Sequence, residues 1–217
     1  LTSVLNYTAF VLDAQYNEEA FIWAQYWTWG PGVSLGDNAR YIMEPRDNNQ
    51  AWARSYSNAL ADVAFLKKSD NPTYAGMAKV MEAFIYGYAV DHFGDIPYSE
   101  AVKGAIEDGS VLAPSFDDDA VIYPQLVTTL DDALADFDRG EDVGPEDLLF
   151  AGHVDDWIDF ANSLKLRLLM RMSSVTDVSG QVAEVMSNGN FITSNQAQVA
   201  FSGMPGSENP MFAWLES

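Results

Sequence analysis

Between Asn71 and Gly94 the sequence permits little except one long, buried helix. Asn71 is a residue type whose side chain accepts from the first free N–H groups of a helix. Pro72 follows at the first helical position, where its missing N–H costs nothing. Tyr74, Met77, Ala78, Met81, Phe84, Ile85 and Tyr88 then recur at the i, i+3, i+4, i+7 spacing of one helical face. Val80, Ala83, Gly87 and Val90 form a second apolar stripe, so this helix needs neighbours on more than one side. Gly94, followed by Pro97, predicts its end.

The rest of the chain must supply those neighbours, and it carries three further helical signals. Trp52, Tyr56, Ala59, Val63 and Leu66 predict an amphipathic helix closed by the polar turn Lys67-Lys68-Ser69-Asp70, which makes an antiparallel hairpin with the first. Tyr123, Leu126, Val127, Leu130, Leu134 and Phe137 give a third face, with Pro124 tolerable in the first helical turn. Trp157, Phe160, Ala161, Leu164 and Leu168 give a fourth, over Asp156 to Met172. Asp155, Asp156 and Asp159 lie near the positive end of its dipole, and Lys165, Arg167 and Arg171 near the negative end. The pattern predicts an all-α fold of stacked helix hairpins with long irregular loops, one domain over residues 1–217, although no fixed sequence period is visible. Trp27 to Arg46 reads as a structured loop, because aromatic residues are rarely spent on disorder. Glu141 to Gly152 reads as an acidic linker. From Asn188 the periodicity weakens, and Gly203 to Pro210 has the composition of a turn.

With 48% hydrophobic residues among 217, the chain is long enough to bury a core. Its net charge of −21 repels phosphate backbones and anionic lipid headgroups, which argues against nucleic acid as a partner. The absence of cysteine removes disulfides, thiolate metal sites and thiol nucleophiles. No apolar run approaches the roughly 20 residues that span a bilayer. Leu1 to Phe10 lack the features of a secretory signal, so any export signal is expected upstream; the apolar Phe212-Ala213-Trp214-Leu215 predicts that further chain follows. Abundant aspartate and scarce lysine fit a surface adapted to high salt, which thermal unfolding with and without molar salt would test.

Sugars are bound by flat aromatic faces with a few hydrogen-bonding groups at the edge. The best local match is Trp27-Thr28-Trp29-Gly30, where an extended backbone would put both indoles on one side, with Asp37, Asn38 and Tyr41 nearby. The competing reading of these tryptophans is buried core. Asp117-Asp118-Asp119 and Asp131-Asp132 could supply a glycosidase carboxylate pair, but such runs more often start helices or cover solvated faces. Asp136, Asp138, Asp142 and Asp147 lack the glycine and final glutamate of a calcium loop. His92 and His153 have no ligand-spaced neighbours. Nucleophile elbow, phosphate loop and dinucleotide glycine pattern are all missing, so neither metal nor cofactor is expected.

Two stretches carry a resemblance to a known family. Tyr86 to Ala101, YGYAVDHFGDIPYSEA, resembles the aromatic-Gly-Asp-hydrophobic-Pro turn of the SusD/RagB family. Asp159 to Ser173, with FANSLKLRLLMRMS after its leading aspartate, is similar to that family's Asn-Ser-Leu-basic-Leu-Arg helix. Physically both motifs read as structural. Gly94 can take a positive φ, Asp95 can cap the turn and Pro97 stops the helix, while Asn162, Arg167 and Arg171 can hold neighbouring elements by hydrogen bonds. The resemblance implies tetratricopeptide-like helix pairs, with the carboxy-terminal part of the family missing. It implies a nutrient-binding lipoprotein on the external face of a Bacteroidetes outer membrane, anchored through a cysteine that this sequence lacks. The implied partners are a SusC-like TonB-dependent transporter and an oligosaccharide or peptide ligand, with no chemistry performed. The alternatives are a helical-repeat scaffold for protein interaction and, third, a carbohydrate-active enzyme.

Overall fold

The computed structural model describes residues 1–32, 36–44, 46–106, 109, 111–193, 197–201, 204, 208–209 and 212. In chain order the helices are α1 (Thr2–Val11), α2 (Asn17–Trp23), α3 (Asn49–Arg54), α4 (Ala61–Leu66), α5 (Pro72–Phe93), α6 (Lys103–Ile106), α7 (Asp119–Phe137), α8 (Val154–Met172) and α9 (Ser179–Asn188). A π-helical turn at Leu12–Tyr16 joins α1 to α2, and a second at Ser55–Leu60 joins α3 to α4, so each pair runs on as one rod. Among the described residues the only ladder pairing is an isolated antiparallel bridge between Ile96 and Asp117. The fold is all-α.

The long central helix begins where the sequence predicts: the Asn71 side chain accepts from Thr73 N at 2.9 Å, and Pro72 sits in the first turn. It packs most extensively on α7, which in turn packs on α8, while α1 lies against the π turn at 55–60. Met77, Ala78, Val80, Ala83 and Ala89 of α5 are buried against Ile122, Leu126, Leu130 and Ala133 of α7, and Trp157, Leu168 and Leu169 of α8 complete one continuous core. Each large side chain so buried is worth about 1.5–3 kcal/mol before entropy is set against it. Gly76 allows the closest approach, since a Cβ placed there would lie 2.7 Å from Cε1 of Phe137. Ion pairs brace the layers: Lys79 meets Asp136 at 2.7 Å between α5 and α7, and Lys165 meets Asp131 at 2.5 Å between α7 and α8.

Two expectations need correcting. Pro124 lies in the second turn of α7, not the first, because the helix begins at Asp119 with Asp118 as its cap. The cost is one i→i−4 bond to the Ala120 carbonyl. The helix tolerates it because its entry is well capped: Asp118 accepts from Ala120 N at 2.9 Å and Asp95 from Asp119 N at 3.1 Å. Glu141 to Gly152 is a built loop rather than a linker. Thr73 Oγ1 donates to the Glu141 carbonyl and accepts from Glu141 N, Val143 N bonds the Gly152 carbonyl, and Phe150 is buried edge-on against Trp157. Residues 2–23 and 179–188 are also helical, in addition to the four helices that the sequence predicts, and Val178 and Val185 are buried at the last of them. Gly203, residues 205–207, Pro210, Ala213, Trp214 and Leu215, on which the turn and apolar-terminus expectations rest, lie outside the described residues.

Candidate functional site

The α1–α2 rod ends at Trp23, and the chain there folds back on itself. Tyr26 N and Trp27 N both bond the Phe21 carbonyl, at 2.9 and 3.1 Å, with Gln25 at φ +61° making the reversal. This returns the Trp27 indole over the Phe21 ring, with centroids 4.8 Å apart and planes 32° apart. Trp29 follows, half-buried, in a stretch without regular secondary structure.

A tight 3-10 turn at Asn38–Arg40 brings in the second part of the surface. The Asp37 carbonyl accepts from Arg40 N at 3.0 Å and Ile42 N at 2.9 Å, and the Asp37 carboxylate pairs with the Arg40 guanidinium. Tyr41, at φ +57°, is thereby aimed back at α2: its hydroxyl donates to the Trp23 carbonyl at 3.2 Å and its ring lies 6.3 Å from the Trp23 ring. The result is an apron of exposed rings, with Trp23 at 39%, Tyr26 at 80% and Tyr41 at 62% exposure, continued by Ile42 and Met43. Exposed rings edged by polar groups are the kind of surface that binding sites use, which makes this region the candidate.

Of the sequence-derived candidates, Trp27 packs on Phe21, Tyr41 on Trp23 and Asp37 forms the turn that carries Tyr41, while Trp29 is given no contact with these rings and the side chain of Asn38 lies outside what is described. Sequence reasoning passed over Phe21, Trp23 and Tyr26. The density of aromatic residues from 21 to 29 was the available signal. On α2, burial raises the pKa of Glu18, with Glu19 adding to the effect. Burial also raises that of Glu19, which nearby His92 pulls down and Asp47 pushes up.

The turn that closes α5 is a second built feature. Gly94 adopts φ +69°, ψ −121°, a conformation that other residues avoid. The Pro97 carbonyl accepts from Tyr56 OH at 2.8 Å. The Asp117 carboxylate takes three donors: Tyr98 N at 3.0 Å, Ser99 N at 2.8 Å and Ser99 Oγ at 2.8 Å. Asp95, Asp118 and Asp119 bring carboxylate oxygens within 4.8 Å of one another, all exposed, and the first two cap α7. Asp131 pairs with Lys165 of α8.

The calcium-loop candidates are spread over separate tasks. Asp136 faces Lys79 and Arg139, Asp142 faces His153, and Asp147 is buried under its own loop. His92 lies over Tyr16 at 4.2 Å with Nδ1 2.9 Å from the Tyr88 carbonyl. On α8, Asn162 is half-buried, Arg171 pairs with Asp91 of α5 at 2.8 Å, and Arg167 lies over the rings of Phe84 and Tyr88.

A family model described as SusD-like, starch-binding and associating with the outer membrane matches residues 1–215. The chain belongs to the SusD-like family. Its members are outer-membrane-associated nutrient-binding proteins, and the helical core described above is the SusD-like scaffold. A SusD/RagB family protein from Bacteroides thetaiotaomicron superposes with a TM-score of 0.80 at 27% identity, covering 99% of this chain and 47% of that one. An outer membrane protein from Bacteroides vulgatus, described as probably involved in nutrient binding, gives 0.73 at 19% identity, covering 96% of this chain and 46% of its own. A chitin-binding protein gives 0.72 at 23% identity, covering 91% and 43%. This SusD-like chain thus spans less than half the length of these solved relatives. Among curated proteins none matches it.

Proposed function

We propose that this SusD-like chain captures an oligosaccharide at the external face of the outer membrane, leaves it chemically unchanged, and acts with a SusC-like TonB-dependent transporter. A lipid anchor on a cysteine upstream of Leu1 would hold it there. The observation that carries the reading is the Trp23–Tyr41 ring pair, locked by the Tyr41 hydroxyl on the Trp23 carbonyl, with the Asp37–Arg40 pair at its edge. Aromatic faces stack on the C–H faces of a sugar while charged groups beside them take hydroxyls, which is the division of labour that sugar recognition needs.

The test is calorimetric titration with starch and chitin oligosaccharides, combined with a search for released sugar. Replacing Trp23 and Tyr41, or Trp27 and Trp29, by alanine should weaken binding by roughly tenfold or more per pair. Folded variants that retain full affinity for a bound glycan would overturn the apron as the site. Release of shorter sugars would overturn the non-catalytic reading. Co-purification of a transporter barrel with the tagged protein from outer membranes would support the partnership.

A further inference from the structure

Two arginines flank residues 41–43 of the apron in sequence, and each is already paired. Arg40, beside Tyr41, meets the carboxylate of Asp37 three residues before it, and Arg46 meets that of Glu44 at 2.8 Å. The Asp47 carboxylate accepts from Glu44 N at 2.7 Å, which fixes the second pair to the turn that precedes α3. All four side chains are more than half exposed, so neither pair contributes much to stability.

The pairs matter for recognition instead. A guanidinium beside an aromatic face is a ready receptor for the carboxylate of a uronic acid or for a sulfate ester, which it meets with two parallel N–H bonds. Here each guanidinium faces a carboxylate of its own turn. Residues 17–49 hold five carboxylates, Glu18, Glu19, Asp37, Glu44 and Asp47, against those two arginines, so this part of the chain keeps a net charge of −3 after both pairs have formed.

We infer that the apron takes glycans free of acidic groups and rejects uronates and sulfated sugars, with Asp37 setting the distinction by occupying Arg40. This deepens the glycan reading of the apron and rests on it. To reach Arg40, an acidic sugar must displace Asp37 or lie beside its charge. A like charge about 4 Å away costs about fivefold in affinity in water, and Glu44 adds to that within the roughly 8 Å over which charges act at physiological salt. An uncharged sugar meets no such repulsion, and its hydroxyls can donate to the carboxylate and accept from the guanidinium. The two roles of Asp37 are also separable. Its backbone carbonyl accepts from Arg40 N and Ile42 N and so holds the turn that carries Tyr41, whereas its carboxylate faces Arg40. Asparagine in its place keeps the first role and removes the charge of the second.

The test is titration with starch and chitin oligosaccharides and with the same sugars oxidised to the carboxylate at C6, at about 20 mM and about 500 mM salt. The readout is the ratio of the two affinities, in which any change common to both forms cancels. In wild type the uncharged form should bind roughly tenfold tighter or more at low salt, and the gap should narrow at high salt. Asp37→Asn should reduce the low-salt ratio by about fivefold, and adding Arg40→Met to it should restore most of the ratio. Glu44→Gln, outside the turn, should reduce the ratio in the same direction. An oxidised sugar bound by wild type as tightly as its parent, or a ratio that neither Asp37→Asn nor Glu44→Gln alters, would overturn the inference and leave the glycan reading standing. Failure of every one of these sugars to bind would overturn both.

Discussion

Trp157 donates its indole N–H to the buried carboxylate of Asp147 at 2.8 Å, so that the first turns of α8 hold the loop that precedes them. Asp147 is 2% exposed and also accepts from Leu149 N at 2.9 Å, Gly152 N at 3.0 Å and Phe150 N at 3.3 Å. A single carboxylate thus organises the return of the chain between α7 and α8. Replacing it by alanine strands several buried donors at once, and the loss should be about 3 kcal/mol or more. Trp157→Phe keeps most of the ring but frees one acceptor position, so it should cost about half as much. Denaturant unfolding of both variants checks the order, and an Asp147→Ala midpoint equal to wild type would refute the role.

Gly76 sets the distance between α5 and α7. A methyl group at this position would meet the Phe137 ring at 2.7 Å, and Phe137 is itself buried. Although alanine is the better helix former by about 1 kcal/mol, overpacking of this kind costs about 1–3 kcal/mol. Gly76→Ala should therefore be neutral to destabilising, and Gly76→Ala with Phe137→Leu should recover part of the loss. Additive effects in the double variant, measured by thermal unfolding, would show that the two positions are not in contact.

Acid should loosen the turn after α5 before it unfolds the core. Partial burial pushes the Asp117 pKa up, but the Ser99 N–H and O–H and the Tyr98 N–H outweigh it and hold the carboxyl below its usual value. A depressed carboxylate stabilises the fold above its unfolded pKa of about 3.9, and that contribution is lost as pH falls through the lower folded value. Relative to the intrinsic rate at each pH, amide exchange at Tyr98 and Ser99 should accelerate selectively below about pH 4. In Asp117→Asn it should be fast at every pH; if the variant kept the wild-type profile, the carboxylate would not be what holds the turn.

How much of this was readable in advance follows from where the stabilising interactions lie. The central helix was legible because its cap, its proline and its apolar stripes are local, and local signals survive without knowledge of partners. The α1–α2 rod was not, since its buried residues Val4, Leu5, Thr8 and Val11 include a polar one and its path is re-phased by the π turn at Leu12–Tyr16. The 141–152 loop misled for a related reason. Its order comes from Asp147 meeting Trp157 and from Thr73 meeting Glu141, and a carboxylate that will be buried looks no different in sequence from one that will be solvated. At the apron, Trp27 and Tyr41 were picked out by residue type. Trp23 was not, because its relation to Tyr41 depends on two chain reversals, at Gln25 and at Asn38–Arg40, that no periodicity announces.

Three helices meet at Asp91, immediately before the Gly94 turn. Its carboxylate on α5 accepts from Tyr123 OH of α7 at 2.5 Å and pairs with Arg171 of α8 at 2.8 Å, with the Asp91 side chain only 14% exposed. Burial, and then the neighbouring Asp91, raise the Tyr123 pKa above its ordinary value. A raised tyrosine contributes stability that is fully present below its unfolded pKa of about 10 and is lost as pH climbs towards the folded value. Wild type should therefore weaken in alkali more steeply than Tyr123→Phe, which has no phenol to ionise. Arg171→Met and Asp91→Asn should each destabilise at neutral pH. Their double variant should lose less than the sum, with a coupling of about 1 kcal/mol, because each single change leaves its partner's charge uncompensated. Strict additivity, together with parallel alkaline profiles for wild type and Tyr123→Phe, would mean that the three helices are joined here by packing alone.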